Sequence, residues 1–260
     1  MRKIIVILIT TFTLIVNVHA GSDGELILKK NEPSEIKDCS ETFNKASFAL
    51  NQGLDKIIFK PVASVYRVLP SPIKTGVSNS LNNLSNVVTI PNNILQGDYA
   101  LASVNTGRFL INTTVGVLGL IDVATYLGFS EYVKEDYGQS LASHGVGPGC
   151  YLVLPVLGPT TARDTVASLT NFIGGDAWYN VTVANDTRYF SEADYWASRL
   201  GAGIDFRAKN LESFESLEKN SVDLYASVRS LYLQDRYRKI NNIDESTETL
   251  SDDDWEELEN

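Results

Sequence analysis

The sequence predicts an all-α fold in one large domain. Two apolar stripes have helical spacing, one beginning at Phe43 and the other at Ile73, with apolar residues every three or four positions. A third observation is the run 109–129, which is apolar, holds one charge and carries several glycines. No strand-rich region and no fixed-period repeat stands out. We therefore expect helices throughout the body of the chain.

The amino terminus has the features of a secretory signal peptide. Arg2 and Lys3 precede an apolar segment, and Val18 and Ala20 suit the positions before a cleavage site. The segment is too short and too rich in threonine for a comfortable membrane span, although a retained anchor is the alternative. We predict a signal peptide at 1–20, export of the chain, and a polar, flexible leader at 21–37.

Helices are expected from residue 38 onwards, with prolines as their boundaries. Pro61 should interrupt the first helix, and Pro70 and Pro72 should end the turns that follow it. The next helix has one side rich in Ser and Asn, and Pro91 and Gly97 should bracket a separate short segment, 92–96. Asp98 is a suitable N-cap for the helix that follows it. The apolar stripe of the first helix is Phe43, Ala46, Ser47, Leu50, Leu54 and Ile58.

The run 109–129 has two equally good interpretations. It is either the buried core of an ordinary helical domain or a pair of short helices, packed closely at glycines and partly sunk in a membrane. Asp122, Asn112 and the glycines argue against a simple span that faces lipid on all sides. On the membrane interpretation, the residues facing lipid are Phe109, Leu110, Val115, Leu118 and Leu120.

Residues 144–159 have the composition of a loop, because alternating glycines permit sharp changes of backbone direction. Helices are expected again at 163–171 and from residue 192 to residue 240. The segment 241–260 is predicted to be an acidic, disordered tail, since 244–260 holds nine of the 32 acids and no base.

Charge and residue counts exclude several classes of function. The net charge of −10 is concentrated in the tail, so the body offers no basic surface for nucleic acid. Export would remove His19 and leave one histidine and two distant cysteines, which is a poor set of metal ligands. We expect no metal and no cofactor. Cys39 and Cys150 are either a disulfide or two buried small apolar residues.

No arrangement of residues indicates a catalytic centre. The glycines at 145, 147 and 149 lack the spacing and the preceding strand of a nucleotide-binding loop. Ser140 and His144 are four positions apart, with Asp136 nearby, but nothing supplies an oxyanion pocket. Arg163 and Asp164 fit a helix start better than an anion site. We predict that the protein is not an enzyme.

Several segments, in the same order along residues 38–240, carry a resemblance to a known family. They include Asp38-x-x-Glu41-x-Phe43-Asn44, Lys60-Pro61-Val62-Ala63-x-x-Tyr66-Arg67, Arg108-Phe109-Leu110-Ile111-Asn112-Thr113-x-x-Gly116, Gly119-Leu120-x-Asp122-Val123-Ala124, Asp136-Tyr137-Gly138-Gln139-Ser140-Leu141, Gly145-Val146-Gly147-x-Gly149-x-Tyr151 and Asp223-x-Tyr225-Ala226-x-Val228-Arg229. They are similar to the MlaA/VacJ family of outer-membrane lipid-asymmetry proteins.

The resemblance implies a single ring-like helical domain at 38–240, with short helices around an amphipathic pore and with part of the domain embedded in the membrane. It implies removal of phospholipid from the outer leaflet of the outer membrane, without chemistry on the lipid. The partners implied are a trimeric porin and a soluble periplasmic lipid carrier. The protein would lie at the periplasmic face of the outer membrane.

The resemblance also assigns roles to two groups of residues. A flexible loop that gates the pore corresponds to Gly145, Gly147, Gly149 and Tyr151. A helix that influences opening of the pore corresponds to Phe43, Asn44, Phe48 and Asn51.

Two departures from the family pattern qualify these expectations. No cysteine follows the apolar segment, so we expect no lipid attachment, and a soluble periplasmic lipid-binding or scaffolding protein is the second hypothesis. A phospholipase is a distant third. Cys39 and Cys150 both stand where the family commonly has proline, which suggests a disulfide between the N-terminal segment and the gate loop.

Overall fold

The computed structural model describes residues 36–170, 179–180, 183 and 191–243, and the predicted helical class is confirmed. The predicted signal peptide, nearly all of the leader and most of the acidic tail lie outside the described residues. The helices are α1 (Glu41–Leu54), α2 (Lys60–Arg67), α3 (Ser71–Leu95), α4 (Tyr99–Thr114), α5 (Val123–Tyr126), α6 (Tyr137–Ser143), α7 (Ala162–Thr170), α8 (Glu192–Lys209), α9 (Leu211–Asn220) and α10 (Leu224–Ile240), and the strands are β1 (Tyr151–Leu154) and β2 (Gly158–Thr161).

Two predicted helix boundaries at prolines are wrong. A π-helical turn, Asp55–Phe59, joins α1 to α2 without a break, and Pro61 lies in the first turn of α2. The wider turn before it accommodates a residue that has no N–H to donate. Pro91 lies inside α3, where the next two residues hold the helix in place. The side-chain amide of Asn92 donates to the carbonyl of Val88 (2.8 Å), and Asn93 Oδ1 accepts from Asn105 (2.9 Å).

The predicted loop at 144–159 is wrong in its second half, which forms a β-hairpin. β1 pairs antiparallel with β2, with Tyr151 opposite Thr161 and Leu154 opposite Gly158. The chain reverses between them through two residues with positive φ, Val156 (69°) and Gly158 (87°). The apolar run Tyr151–Leu154 was too short to be distinguished from loop or helix by periodicity alone.

The prediction of two short helices in the run 109–129 is right only in part. The first half belongs to the longer helix α4, which begins as predicted after Asp98, whose carboxylate accepts from the Leu101 N–H (2.8 Å). The second half has only the single turn α5. Between them, Gly119 has φ 86°, and a Cβ there would lie 2.6 Å from the Cβ of Asn83. The glycines do permit close packing.

Polar and apolar side chains are distributed in the reverse of the usual arrangement. The buried face of α3 consists of small and polar residues, namely Gly76, Ser78, Asn83, Asn86, Thr89, Asn92 and Asn93. In α1, Asn44 and Ser47 are buried while Phe43 and Leu50 are half exposed. The apolar stripe predicted from residue 43 therefore lies largely on the outer side of its helix, with Ser47 and Leu54 as the exceptions. A protein in water normally shows the opposite pattern.

A small apolar cluster of Tyr151, Val153, Tyr225 and Leu233 joins β1 to α10. Among the described residues, no helix is both long enough and apolar enough to cross a membrane.

Candidate functional site

The first feature of the site is a clamp that holds strand β1 against helix α1 through two asparagines. Asn44 donates to the carbonyl of Tyr151 (3.0 Å) and accepts from the N–H of Val153 (2.8 Å). Asn51 donates to the carbonyl of Leu154 (2.9 Å) and accepts from the N–H of Val156 (2.6 Å). Each side-chain amide thus takes the place of a residue in a neighbouring strand.

The spacing of the two asparagines explains why the clamp fits. Asn44 and Asn51 are two helical turns apart, about 10.5 Å along α1. The backbone groups that they bind are three residues apart along β1, about 10 Å in extended chain. Of the other two residues predicted in this helix, Phe48 packs edge-on against Tyr225 (5.5 Å between ring centroids), and Phe43 is 53% exposed.

A disulfide joins the same two segments. Cys39 is bonded to Cys150, with their Cα atoms 5.6 Å apart and a sequence separation of 111. Asp38 forms an isolated bridge with Tyr151 and accepts a hydrogen bond from Asn44 (2.7 Å). The amino-terminal segment is therefore attached to the start of β1 both covalently and by hydrogen bonds.

Removal of this disulfide should destabilise the protein. We expect the double substitution Cys39→Ser, Cys150→Ser to lower the free energy of unfolding by about 2–4 kcal/mol, because the open chain regains entropy in the unfolded state. Thermal unfolding of oxidised protein, reduced protein and the double variant would measure this. Equal melting temperatures for all three would contradict the expectation.

The predicted gate-loop residues divide into two groups. Gly145, Gly147 and Gly149 are exposed, and two of them have positive φ (82° for Gly145 and 67° for Gly149). Tyr151 is not part of a flexible loop: it lies in β1, is fully buried, and burial raises the pKa of its hydroxyl to about 12. That assignment is corrected, because the apolar cluster and the Asn44 clamp hold Tyr151 in place.

Beyond the glycine segment lies a buried network of charges centred on Arg236. Its guanidinium donates to both carboxylate oxygens of Asp136 (2.6 and 2.7 Å) and of Asp164 (2.9 and 3.0 Å). Asp164 also accepts from Arg163 (2.9 Å) and Tyr232 (3.0 Å). Arg163 in turn donates to the carbonyl of Val146 (3.3 Å), which connects the network to the glycine loop.

The network alters the ionisation of its members. Burial alone would raise the pKa of the Asp164 carboxyl, but the charges of Arg236 and Arg163 outweigh that effect and lower the pKa. Burial likewise acts against the Asp136 carboxylate, and the hydrogen bond from Arg236 again leaves its pKa lowered. Both carboxylates therefore stay ionised at neutral pH.

The lowered pKa values predict that acid weakens the fold. A depressed carboxyl pKa contributes stability above the unfolded-state value of about 4, and this contribution is lost as the pH falls through the folded-state pKa. We expect the melting temperature to fall between about pH 5 and pH 2, and to fall less steeply in Asp136→Asn. Asp235→Asn, on the exposed side of the same helix α10, is the matched control. Identical slopes for the two variants would contradict the assignment.

A cavity of about 720 Å³ opens beside this network and the hairpin. Its walls are mixed. Arg236 and its partners Asp136 and Asp164 line it together with the further bases Arg199 and Lys134, and Leu157 and Phe206 supply apolar groups. A space with both kinds of wall suits an amphiphile with a charged end and an apolar end.

The predicted membrane-facing run is largely exposed. Val115 is 65% exposed and Leu118 is 72% exposed, while Leu110 and Leu120 are about half exposed and Phe109 is half buried. Behind them, Arg108 is buried and pairs with Asp122 (2.7 Å), so the one charge of this run points inward. A contiguous apolar surface of this kind marks a contact with protein or membrane.

The side chains of the weak catalytic candidates do not bond to one another. The hydroxyl of Ser140 is buried and donates to Asn92 Oδ1 (2.6 Å), whereas His144 Nδ1 lies 2.8 Å from the Ser140 carbonyl oxygen. Asp136 is engaged with Arg236. Arg163 and Asp164 do lie at the start of α7, but as members of the buried network.

The sequence did not indicate Arg236, nor that the polar side of α3 is buried. Arg236 pairs with residues 72 and 100 positions away, and nothing in its local sequence indicates this. Gly138 is a local trace of this network. A Cβ at that position would collide with Asp164 and Arg236, so a glycine is needed there.

A polar interior, an apolar exterior and an amphipathic cavity define a class of helical protein that works in contact with lipid. Comparison with known proteins agrees. The family model described as MlaA lipoprotein matches residues 36–239. The chain belongs to the MlaA family.

Individual relatives support this assignment. The Haemophilus influenzae protein named "Intermembrane phospholipid transport system lipoprotein MlaA" is 31% identical over 87% of this chain and 89% of its own length. A Rickettsia bellii protein is 34% identical over 91% of this chain and 92% of its own. A solved structure described as "Structural basis for maintenance of bacterial outer membrane lipid asymmetry" superposes with a TM-score of 0.66 at 32% identity, covering 78% of this chain and 99% of that one.

Proposed function

We propose that this protein removes phospholipid from the outer leaflet of the outer membrane and passes it towards the periplasm. Family membership supports the coarser part, a role in phospholipid transport. The direction of movement and the route through the protein are the finer parts of the proposal.

The main support for the proposal is the reversed arrangement of side chains, with polar ones buried and apolar ones exposed. Lipid around the protein stabilises exposed Leu, Val and Ile side chains, which would be costly in water. Buried Asn and Thr side chains, in contrast, are stable in the interior because they bond to one another and to the backbone, as Asn93 does with Asn105 and Asn92 with the Val88 carbonyl. The outer surface at α2 shows the first property, with Val65 73% exposed and Val68, directly after the helix, 84% exposed; the buried face of α3 shows the second.

The cavity beside Arg236 is the proposed passage, and the glycine segment 145–149 is its gate. Arg163 holds the gate at Val146, while the Asn44 clamp and the disulfide hold the chain where the gate meets β1. In this proposal the gate moves between two fixed ends. The positive φ values at Gly145 and Gly149 allow that movement with little strain.

No chemistry on the lipid is part of the proposal. The protein would lie at the periplasmic face of the outer membrane, with a trimeric porin as its neighbour and a soluble periplasmic carrier as the recipient of lipid. Substitution Ser140→Ala would leave transport intact, since its hydroxyl is occupied by Asn92.

Complementation tests the proposed function. The chain would be expressed in a Gram-negative bacterium that lacks its own homologue, and phospholipid in the outer leaflet would be quantified. Restored asymmetry, together with recovery of the protein in the outer-membrane fraction, is the expected result. Recovery of stable, exported protein in the soluble periplasmic fraction, without restored asymmetry, would instead favour a lipid-binding or scaffolding protein.

A further inference from the structure

Helix α9 is attached to the rest of the protein by three exposed charge pairs and by Phe214, whose ring packs edge-on against Phe206. None of its residues is buried. Its acids Glu212, Glu215 and Glu218 are three positions apart and so lie along one side of the helix. They pair in antiparallel order with Arg67 (2.6 Å), Lys60 (2.8 Å) and Lys56 (2.8 Å). Exposed pairs of this kind are individually weak and are screened by salt.

Two apolar chambers lie against α9. One, of about 960 Å³, is lined by Phe206 and Leu231 among others, and the second, of about 270 Å³, by Phe48 and Phe59 among others. Both chambers are lined by Pro159, Phe214, Leu217 and Val228. They are therefore adjacent parts of one apolar space, with the side chains of α9 between them.

The apolar space continues into the mixed cavity beside Arg236. The larger chamber and that cavity share Pro159, Phe206 and Tyr232 as walls. Basic side chains, Lys134 and Arg199, line that cavity as well. A molecule that fills both spaces needs an anionic end and a long apolar end, which is the chemistry of a phospholipid.

The wall of the smaller chamber includes one charged group that is paired inside the protein. Arg207 lines it and donates through Nε (2.7 Å) and one terminal nitrogen (2.8 Å) to Asp55. Its guanidinium lies 4.7 Å from the centroid of the Phe214 ring. Arg207 therefore holds the inner side of α9, in addition to the three pairs on the outer side.

We propose that α9 is a lid over an acyl-chain site, and that one acyl chain of a phospholipid occupies the two chambers while its headgroup lies in the cavity at Lys134 and Arg199. This inference rests on the proposed function and adds where the lipid is held. The lid opens when the three charge pairs separate, with the turn at 221–223 as one flexible end. Val222 in that turn is fully exposed.

Binding of a labelled lipid tests the site. The full chain, in a mild detergent, would be titrated with phosphatidylglycerol that carries pyrene at the end of one acyl chain. Val228→Trp adds bulk to a wall shared by both chambers, and we expect about tenfold weaker binding or more. Val222→Trp is the matched control and should bind as the unaltered protein does. Equal binding by the two variants, or no binding by the unaltered protein, would overturn the proposal.

Exchange kinetics test the lid. We expect the triple variant Glu212→Gln, Glu215→Gln, Glu218→Gln to release the bound pyrene lipid about three- to tenfold faster, and added salt to accelerate release only from the unaltered protein. The charge exchange Lys56→Glu, Glu218→Lys should keep the slow rate. Identical rates and identical salt dependence in all of these proteins would overturn the lid. Restored asymmetry in cells without pyrene-lipid binding would remove this inference and leave the proposed function standing.

Discussion

Replacement of Arg236 by methionine is expected to lower the free energy of unfolding by about 3 kcal/mol, because the buried carboxylate of Asp164 and the half-exposed carboxylate of Asp136 both lose the cation that they share. Asp164 is only 7% exposed and would keep Arg163 and Tyr232 as its remaining partners. Asp136, at the start of α6, would lose both of its bonds to Arg236. Urea unfolding followed by circular dichroism would measure the loss.

Two further variants show whether the loss comes from unpaired charge. Lys239→Met removes a base from the same helix, but its pair with Asp235 is exposed, so we expect no measurable change. Combining Arg236→Met with Asp164→Asn removes one stranded carboxylate and should restore part of the stability. If Arg236→Met and Lys239→Met unfold at the same urea concentration, the network is not a structural centre.

Substitution Asn44→Leu is expected to cost about 2–5 kcal/mol. The side chain keeps nearly the same size, but the Tyr151 carbonyl and the Val153 N–H are left buried without their partner, at about 1–3 kcal/mol for each group. Asn44 and Val153 are both fully buried, so water does not replace the lost bonds. We also expect the Val153 amide hydrogen to exchange with solvent much faster.

The control for this substitution is Asn82→Leu, an exposed asparagine on α3. Its hydrogen bond to Asn86 uses the backbone carbonyl, which the substitution retains. We therefore expect little change in stability and unaltered exchange at Val153. Equal protection of the Val153 amide in both variants would show that the clamp does not hold β1.

Helical content and the main helix positions could be predicted from local patterns, because spacing of apolar residues and caps such as Asp98 are local signals. The side of each helix that faces inward could not. Periodicity identifies an apolar face, as it did from Phe43 onwards, but not whether protein or lipid covers that face. The inward polar face of α3 depends on the medium around the protein.

The candidate site could be predicted only where its residues form a pattern that is recognisable in the local sequence. The glycines at 145, 147 and 149 and the two cysteines are visible in the sequence, and the family resemblance related them to Asn44 and Asn51. The Arg236 network joins three distant segments, and a single sequence has no record of such pairings. The same limitation applies to β1, whose outer edge is completed by a helix rather than by a strand.

The central claim is that the polar interior exists because the apolar exterior lies in lipid. Spin labels on single added cysteines would test it, with the protein in phospholipid bilayers and its native disulfide intact. If the exterior lies in lipid, a label at Leu118 should collide readily with oxygen dissolved in the acyl chains and rarely with a water-soluble nickel chelate. A label at Lys219, on the exposed side of α9, should show the reverse. Free access of the nickel chelate to both positions would contradict the account.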